Sequence, residues 1–207
     1  MTKQTELLST ITDNKANITI VSEANVEQND DKKTVTRNSA FKEYNIEYKV
    51  VKNNQKPRIA VVLEKEIKYS RLNNLESSNN STIVLKIKQT NRKYFALIAT
   101  YHEWKHFGED DALTKEGINN QLERMKEITE NVKEVKKMKI PIIWAGDINL
   151  DMNPKNDTSK RADVKVLKPM LIDCMIENNL VLINKEPTWF RIGKRESLLD
   201  LYLLSHP

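Results

Sequence analysis

Asp147 and Asn149, in the tetrad Gly146-Asp147-Ile148-Asn149, are the residues best placed for chemistry in this sequence. They follow the apolar run Pro141-Ile142-Ile143-Trp144-Ala145, which reads as a buried strand that stops at Gly146. A carboxylate and a carboxamide two residues apart project to the same side of an extended backbone. At a strand's C-terminal edge such a pair can hold a hard cation, orient a water and touch a phosphate oxygen. Asp and Asn also favour ordinary turns, so the tetrad gains meaning only from partners elsewhere in the chain. Glu23 ends the apolar segment Asn-Ile-Thr-Ile-Val-Ser-Glu and reads either as a solvated strand end or as a metal ligand. Asp200 lies inside Leu198-Leu199-Asp200-Leu201-Tyr202-Leu203-Leu204, where an unpaired charge is expensive, so an imidazole, hydroxyl or amide partner is expected. Tyr101 closes another strand, as an amphipathic edge residue or as a site residue. These five residues all fall at or near strand ends, on four separate strands. If those strands lie side by side, the side chains converge on one cleft. An oxygen-only ligand set suits Mg²⁺ or Mn²⁺ rather than zinc and supports metal-assisted attack of water on phosphate.

Other chemistries find less support. His102 and His106 are spaced i, i+4, but the surrounding Tyr-His-Glu-Trp-Lys-His-Phe-Gly-Glu-Asp has no helical periodicity, so a zinc pair is not expected. The chain has four glycines and no phosphate-cradling glycine loop, and no Ser-His-Asp arrangement is evident. Lys133, Lys136, Lys137 and Lys139 read as a solvated face that suits a helix C-terminus.

The elements that must position the site follow from periodicity. A short helix is predicted over residues 5–12 and a strand over 17–23, followed by a charged loop over 27–39. Strands follow over 41–51 and 58–63, then an Asn/Ser-rich loop over 73–81. Residues 82–88 and 94–101 read as a hairpin turning near Asn91. Ile118, Leu122, Met125, Val132 and Val135 mark one face of a long helix over about 114–137. A second amphipathic helix is predicted over 164–178, and strands over 180–184 and 198–204. Six or more strands interleaved with helices, without internal repeat or linker, predict a single-domain α/β sandwich.

Composition sets looser bounds. The 207 residues suit one domain, and the 39% hydrophobic content is enough for a core. A net charge of +5 permits a polyanionic partner without demanding one. A single cysteine, Cys174, excludes a disulfide within the chain and fits a reducing compartment. With no membrane-spanning stretch and no signal peptide, a nuclear or cytoplasmic location is expected, with no membrane partner.

In order, Glu23, Tyr101, Gly146-Asp147-Ile148-Asn149, Thr188 and Ser197-Leu198-Leu199-Asp200 resemble the endonuclease/exonuclease/phosphatase family over nearly the whole chain. Within it, Val-Ser-Glu-Ala-Asn-Val (21–26), the Glu103-Trp104 pair, Gly-Asp-Ile-Asn-Leu-Asp (146–151) and Pro187-Thr188-Trp189-Phe190 resemble the endonuclease domain of non-LTR retrotransposons. The resemblance implies two packed mixed β-sheets flanked by helices, a DNase-like four-layer sandwich. It implies a Mg²⁺- or Mn²⁺-dependent DNA-nicking endonuclease, accompanied in a full-length element by a reverse transcriptase domain. Carried over, Glu23 would bind the cation, Asp147 would ligate it and orient the water, and Asn149 would contact metal and scissile phosphate. Tyr101 would hold the phosphate or leaving group, and Asp200 would orient a catalytic histidine. The family opens with an asparagine-bearing strand and closes with a Ser-Asp-His motif. Neither is found between Met1 and Ser205-His206-Pro207. A domain incomplete at both termini, with weak or no nuclease activity, is therefore expected. The alternatives are a lipid- or inositol-phosphate phosphatase of the same fold and a non-catalytic nucleic-acid-binding remnant.

Overall fold

The computed structural model describes residues 3–24, 41–49, 57–76, 81–89, 92–103, 115–156, 162–188 and 196–205. The charged loop over 27–39, the turn at Asn91, Trp104, His106, Trp189, Phe190 and His206 lie outside them.

Alternation along the strands sorts the apolar side chains into three layers of core. In β3 (Ile59–Glu64), Ile59, Val61 and Leu63 face one way and Val62 the other. Period-two alternation in a strand buried on both faces requires such a split. β3 is the centre of a three-stranded sheet, flanked in antiparallel fashion by β1 (Ile18–Ser22) and β2 (Tyr44–Tyr48). Its outer face is covered by α1 (Lys3–Asp13), through Leu7, Leu8 and Ile11 against Phe41 and Val62. Its inner face meets a six-stranded sheet of order β4-β5-β6-β7-β9-β8. The strands of that sheet are β4 (Tyr69–Arg71), β5 (Ser81–Lys88), β6 (Tyr94–Tyr101), β7 (Ile142–Asp147), β8 (Leu180–Leu182) and β9 (Asp200–Ser205).

The layer between the sheets contains Ile83, Leu85 and Ile87 of β5 and Leu97, Ala99 and Tyr101 of β6. The opposite face of the larger sheet, with Val84, Ile98, Ile142 and Trp144, packs on α2 (Lys115–Lys136) and α3 (Ala162–Glu177). The order helix, sheet, sheet, helices is the expected four-layer α/β sandwich. All pairings are antiparallel except β6–β7, joined by the crossover through α2. The hairpin of β5 and β6 forms as expected, closed by the Gln89 N–H donating to the Lys93 carbonyl at 2.8 Å.

Boundaries shift where alternation is a poor guide. The strand predicted over 41–51 shortens to Tyr44–Tyr48, and that over 180–184 to Leu180–Leu182. β4 is too short to show a period in sequence. It is held by pairing with β5 and by Arg71, which is bonded to Glu76 (2.9 Å) and to Glu47 (2.9 Å). On the lysine face, Lys133 pairs with Glu177 and Lys137 with Glu134 at exposed positions. Cys174 is buried and free. Among the described residues, no helix is long and apolar enough to cross a membrane.

Candidate active site

Three adjacent strands bring three of the expected residues to one rim of the larger sheet. Tyr101, the last residue of β6, pairs in register with Asp147, the last residue of β7. Asp147 pairs in turn with Asp200, the first residue of antiparallel β9. Residues opposite one another in a ladder share a face. That face is the one through which Tyr101 enters the core between the sheets. Glu23 comes from the other sheet, one residue past β1, and its carboxylate accepts a hydrogen bond from the Tyr101 hydroxyl at 2.8 Å. Tyr101 is only 3% exposed, so its ring is core and its hydroxyl ties the two sheets together at the site. Burial pushes that hydroxyl up to about 12, and the bond to Glu23 adds to the rise against the lowering effect of Arg58. Tyr101 therefore keeps its proton near neutral pH and acts as a donor.

Two details depart from the sequence reading. Asp147 and Asn149 do not project from one extended backbone. The strand ends at Asp147, and Asn149 is left-handed (φ 53°). The Asp147 carboxylate accepts the Asn149 backbone N–H at 2.8 Å, an Asx-type turn that wins over strand continuation. The Asn149 side-chain amide donates to the His102 carbonyl at 2.9 Å, which leaves its oxygen without a partner among the described residues. Asp200, for its part, is not buried within an apolar strand. It is exposed and opens β9, whose first residue is Asp200 rather than Leu198, so no buried charge calls for an imidazole. Its backbone is fixed instead. The Thr188 hydroxyl accepts the N–H groups of Leu199 (3.1 Å) and Asp200 (3.0 Å), and the Asn184 amide donates to the Asp200 carbonyl (2.7 Å). Thr188 and Asn184 thus align the start of β9.

The electrostatics centre on Asp147. Its carboxyl is pushed up to about 6, first by burial, with Asp200 and Glu23 adding to the rise and the Asn149 N–H opposing it. Arg58 is the residue that sequence reasoning missed. It stands just before β3, across the ladder from Glu23, and the Ala24 N–H donates to its carbonyl at 3.3 Å. Its guanidinium donates to the Tyr101 hydroxyl at 3.2 Å and reaches Glu23 at 3.5 Å and Glu103 at 4.0 Å. The available signal was a charge placed immediately before the fully apolar Ile-Ala-Val-Val-Leu.

His102 is sealed at 0% exposure and cannot reach a substrate. Its Nδ1 lies 3.1 Å from the Ile148 carbonyl and so carries the proton, while Nε2 is buried without a partner among the described residues. Burial pushes its pKa down to about 4, with Arg124 contributing. A pKa depressed on folding means that the unfolded chain binds more protons between about pH 6.5 and 4. Stability supplied by neutral His102 is complete above pH 6.5 and is lost as pH falls through that window, by about 3 kcal/mol. Asp147 acts with opposite sign over part of this range. The isolating comparison is His102→Asn, which keeps a donor to Ile148. Denaturant melts at pH 7 and pH 4.5 should show a smaller acid loss in the variant. Equal losses would refute the assignment.

An ion held here would meet oxygen donors alone. Among the described residues, no group of three or more His, Cys, Asp or Glu side chains is clustered closely enough to hold a metal. Mg²⁺, however, is commonly held by one or two carboxylates, with waters and substrate oxygens completing its shell. Glu23 and Asp147 suit that mode, and a cation would offset the cost of burying the ionised Asp147 carboxylate and, to a lesser degree, its repulsion by Asp200 and Glu23.

No family model and no curated protein matches the sequence. Solved structures do. The endonuclease domain of TRAS1, a telomere-specific non-LTR retrotransposon, aligns with TM-score 0.62 at 18% identity, over 97% of this chain and 77% of that one. An AP endonuclease from Archaeoglobus fulgidus aligns with TM-score 0.62 at 12% identity, over 96% and 80%. The 3'-5' exonuclease NExo from Neisseria meningitidis aligns with TM-score 0.63 at 14% identity, over 98% and 82%. The paired sheets, the flanking helices and these alignments along nearly the whole chain give the protein a DNase-like fold, the two-sheet α/β sandwich that these solved structures share.

Proposed function

We propose that this chain is a divalent-metal-dependent phosphodiesterase that nicks DNA, of the non-LTR retrotransposon type, and that it works beside a reverse transcriptase domain in a longer element. The observation that supports this most is the register Tyr101–Asp147–Asp200, closed from the second sheet by Glu23. The arrangement presents carboxylates and a protonated phenol along a single rim.

Glu23 and Asp147 would hold Mg²⁺ or Mn²⁺, with the Asn149 oxygen available to the metal or the phosphate. The bound ion would polarise the phosphate and lower the pKa of a water. Asp147 accepts a proton from the attacking water with the carboxylate oxygen that does not bond to Asn149. The water oxygen bonds to phosphorus as the P–O bond to the leaving group breaks, and the departing alkoxide takes a proton from solvent. Tyr101, which keeps its proton, donates a hydrogen bond to the phosphate or to the departing oxygen. Asp200 adds negative charge beside Asp147 and orients any base brought to the rim.

The expected rate is low, because His102, the residue after Tyr101, is sealed and supplies no base to the rim. General-base catalysis of the kind a histidine supplies is worth about 10²–10⁴-fold. In a supercoiled-plasmid assay we expect slow Mg²⁺-dependent nicking that Asp147→Ala reduces to background. Salt-dependent DNA binding without metal-dependent conversion would overturn hydrolysis and favour the binding remnant. Cleavage of an inositol phosphate in preference to DNA would overturn the substrate.

A further inference from the structure

The strongest unassigned feature of the rim is a cation that the chain itself supplies. Arg58 lies across the ladder from Glu23, and its terminal nitrogen shares the Glu23 oxygen that accepts the Tyr101 hydroxyl. It also stands over the Tyr101 ring, 5.4 Å from the centroid. One guanidinium therefore touches both a carboxylate and a phenol to which the proposed reaction gives a role.

Its hold is loose. The contact with Glu23 is 3.5 Å and that with Glu103 is 4.0 Å, at or beyond the limit of a good hydrogen bond. Its Nε is buried with no partner among the described residues. An arginine placed for structure alone normally satisfies its fork with short bidentate bonds. Arg71 of this same chain does so, meeting Glu76 with two nitrogens at 2.9 and 3.0 Å. Glu23 meanwhile is 62% exposed at the side chain, so an incoming ion can reach it.

We propose that Arg58 is a resident counter-cation of Glu23 that a divalent ion must displace, so that Arg58 sets the metal affinity of the site. This rests on the reading of Glu23 as a metal ligand. When the ion enters, Glu23 exchanges the guanidinium for it. Arg58 keeps its bond to Tyr101, as a positive charge beside the hydroxyl that meets the phosphate. Arg58 is thus a positioning residue whose charge opposes metal entry.

The test is a Mn²⁺ titration of the full chain, reading free ion by electron paramagnetic resonance, in the wild type, Arg58→Gln, Arg58→Met, Arg58→Lys and Glu23→Gln. Thermal melts check that each variant folds. Removing the charge, as Gln or Met, should tighten Mn²⁺ binding about tenfold, or about 1.4 kcal/mol. Arg58→Lys keeps the charge and should stay within about threefold of wild type, a change of under 1 kcal/mol. Glu23→Gln should weaken binding. If Glu23→Gln weakens binding but Arg58→Gln and Arg58→Met leave it unchanged or weaker, the counter-cation role is overturned while the metal reading stands. If Arg58→Lys tightens binding as much as Arg58→Gln, packing rather than charge is responsible, and the role is again overturned. If no variant, Glu23→Gln included, alters Mn²⁺ binding, Glu23 is not a ligand and both readings fall.

Discussion

Gly146→Ala is expected to prevent stable folding altogether. Gly146 has φ +138°, a region that L side chains rarely adopt, and a Cβ there would lie 1.9 Å from the Thr100 carbonyl oxygen. It would also come within 2.9 Å of the Thr100 carbonyl carbon and 3.0 Å of its nitrogen. These are backbone atoms of the neighbouring strand, so no side-chain rotation can relieve the contact. Thr100 and Gly146 are register partners in the parallel β6–β7 pair, and opening that pair separates Tyr101 from Asp147 one residue further on. It also disturbs buried Trp144, whose indole N–H donates to the Thr100 hydroxyl at 3.1 Å. The combined cost should exceed about 4 kcal/mol, comparable to the whole stability of a marginal domain. The check is a urea melt with tryptophan fluorescence, together with soluble yield. A variant that unfolds cooperatively at a urea midpoint close to that of wild type would refute the close approach of the two strands.

Asp147→Asn should move stability and activity in opposite directions. The carboxyl of Asp147 is pushed up to about 6 by burial and by neighbouring Asp200 and Glu23, so its ionised form is disfavoured by folding. At pH 7 the folded chain bears that cost. As pH falls from about 6 towards 3.8, the folded state binds more protons than the unfolded one and the cost disappears. The shift would be worth about 3 kcal/mol for a fully buried group. Solvent reaches part of this carboxyl, and screening leaves about 1 kcal/mol. Asparagine has nearly the same shape and can still accept the Asn149 N–H, so the Asx turn survives. Without added metal, the variant should therefore melt higher than wild type at pH 7 and equal to it near pH 4. Added Mg²⁺ should stabilise wild type and not the variant, and plasmid nicking should fall to background. A variant less stable than wild type at pH 7 would show that the carboxylate is paired in the fold rather than repelled.

Much of the architecture is legible in the residues. The continuous apolar runs Ile-Ala-Val-Val-Leu and Phe-Ala-Leu-Ile-Ala show buried strands, because a strand covered on both faces has no polar side to alternate with. The spacing of Ile118, Leu122, Met125, Val132 and Val135 shows the long helix, found at Lys115–Lys136. The β4 segment is silent, because three residues show no period and its order depends on Arg71 reaching Glu47 and Glu76. The reading of Asp200 as a buried charge failed for a related reason. An apolar run shows that a strand is present, but not where pairing begins, and Thr188 and Asn184 set that start from outside the run.

The sequence by itself determined which residue types were available to the site and that Glu23, Tyr101 and Asp147 would stand at strand ends, since local hydrophobic pattern marks where those strands stop. Only the tertiary structure decided which ends adjoin. Strand order is set by non-local pairing, which leaves no local pattern to read. The order β1-β3-β2 set Arg58 across from Glu23, and β6-β7-β9 aligned Tyr101, Asp147 and Asp200 in one row. The same pairing gave Gly146 its role, because the carbonyl that excludes a side chain there belongs to Thr100, a residue 46 positions earlier in the chain.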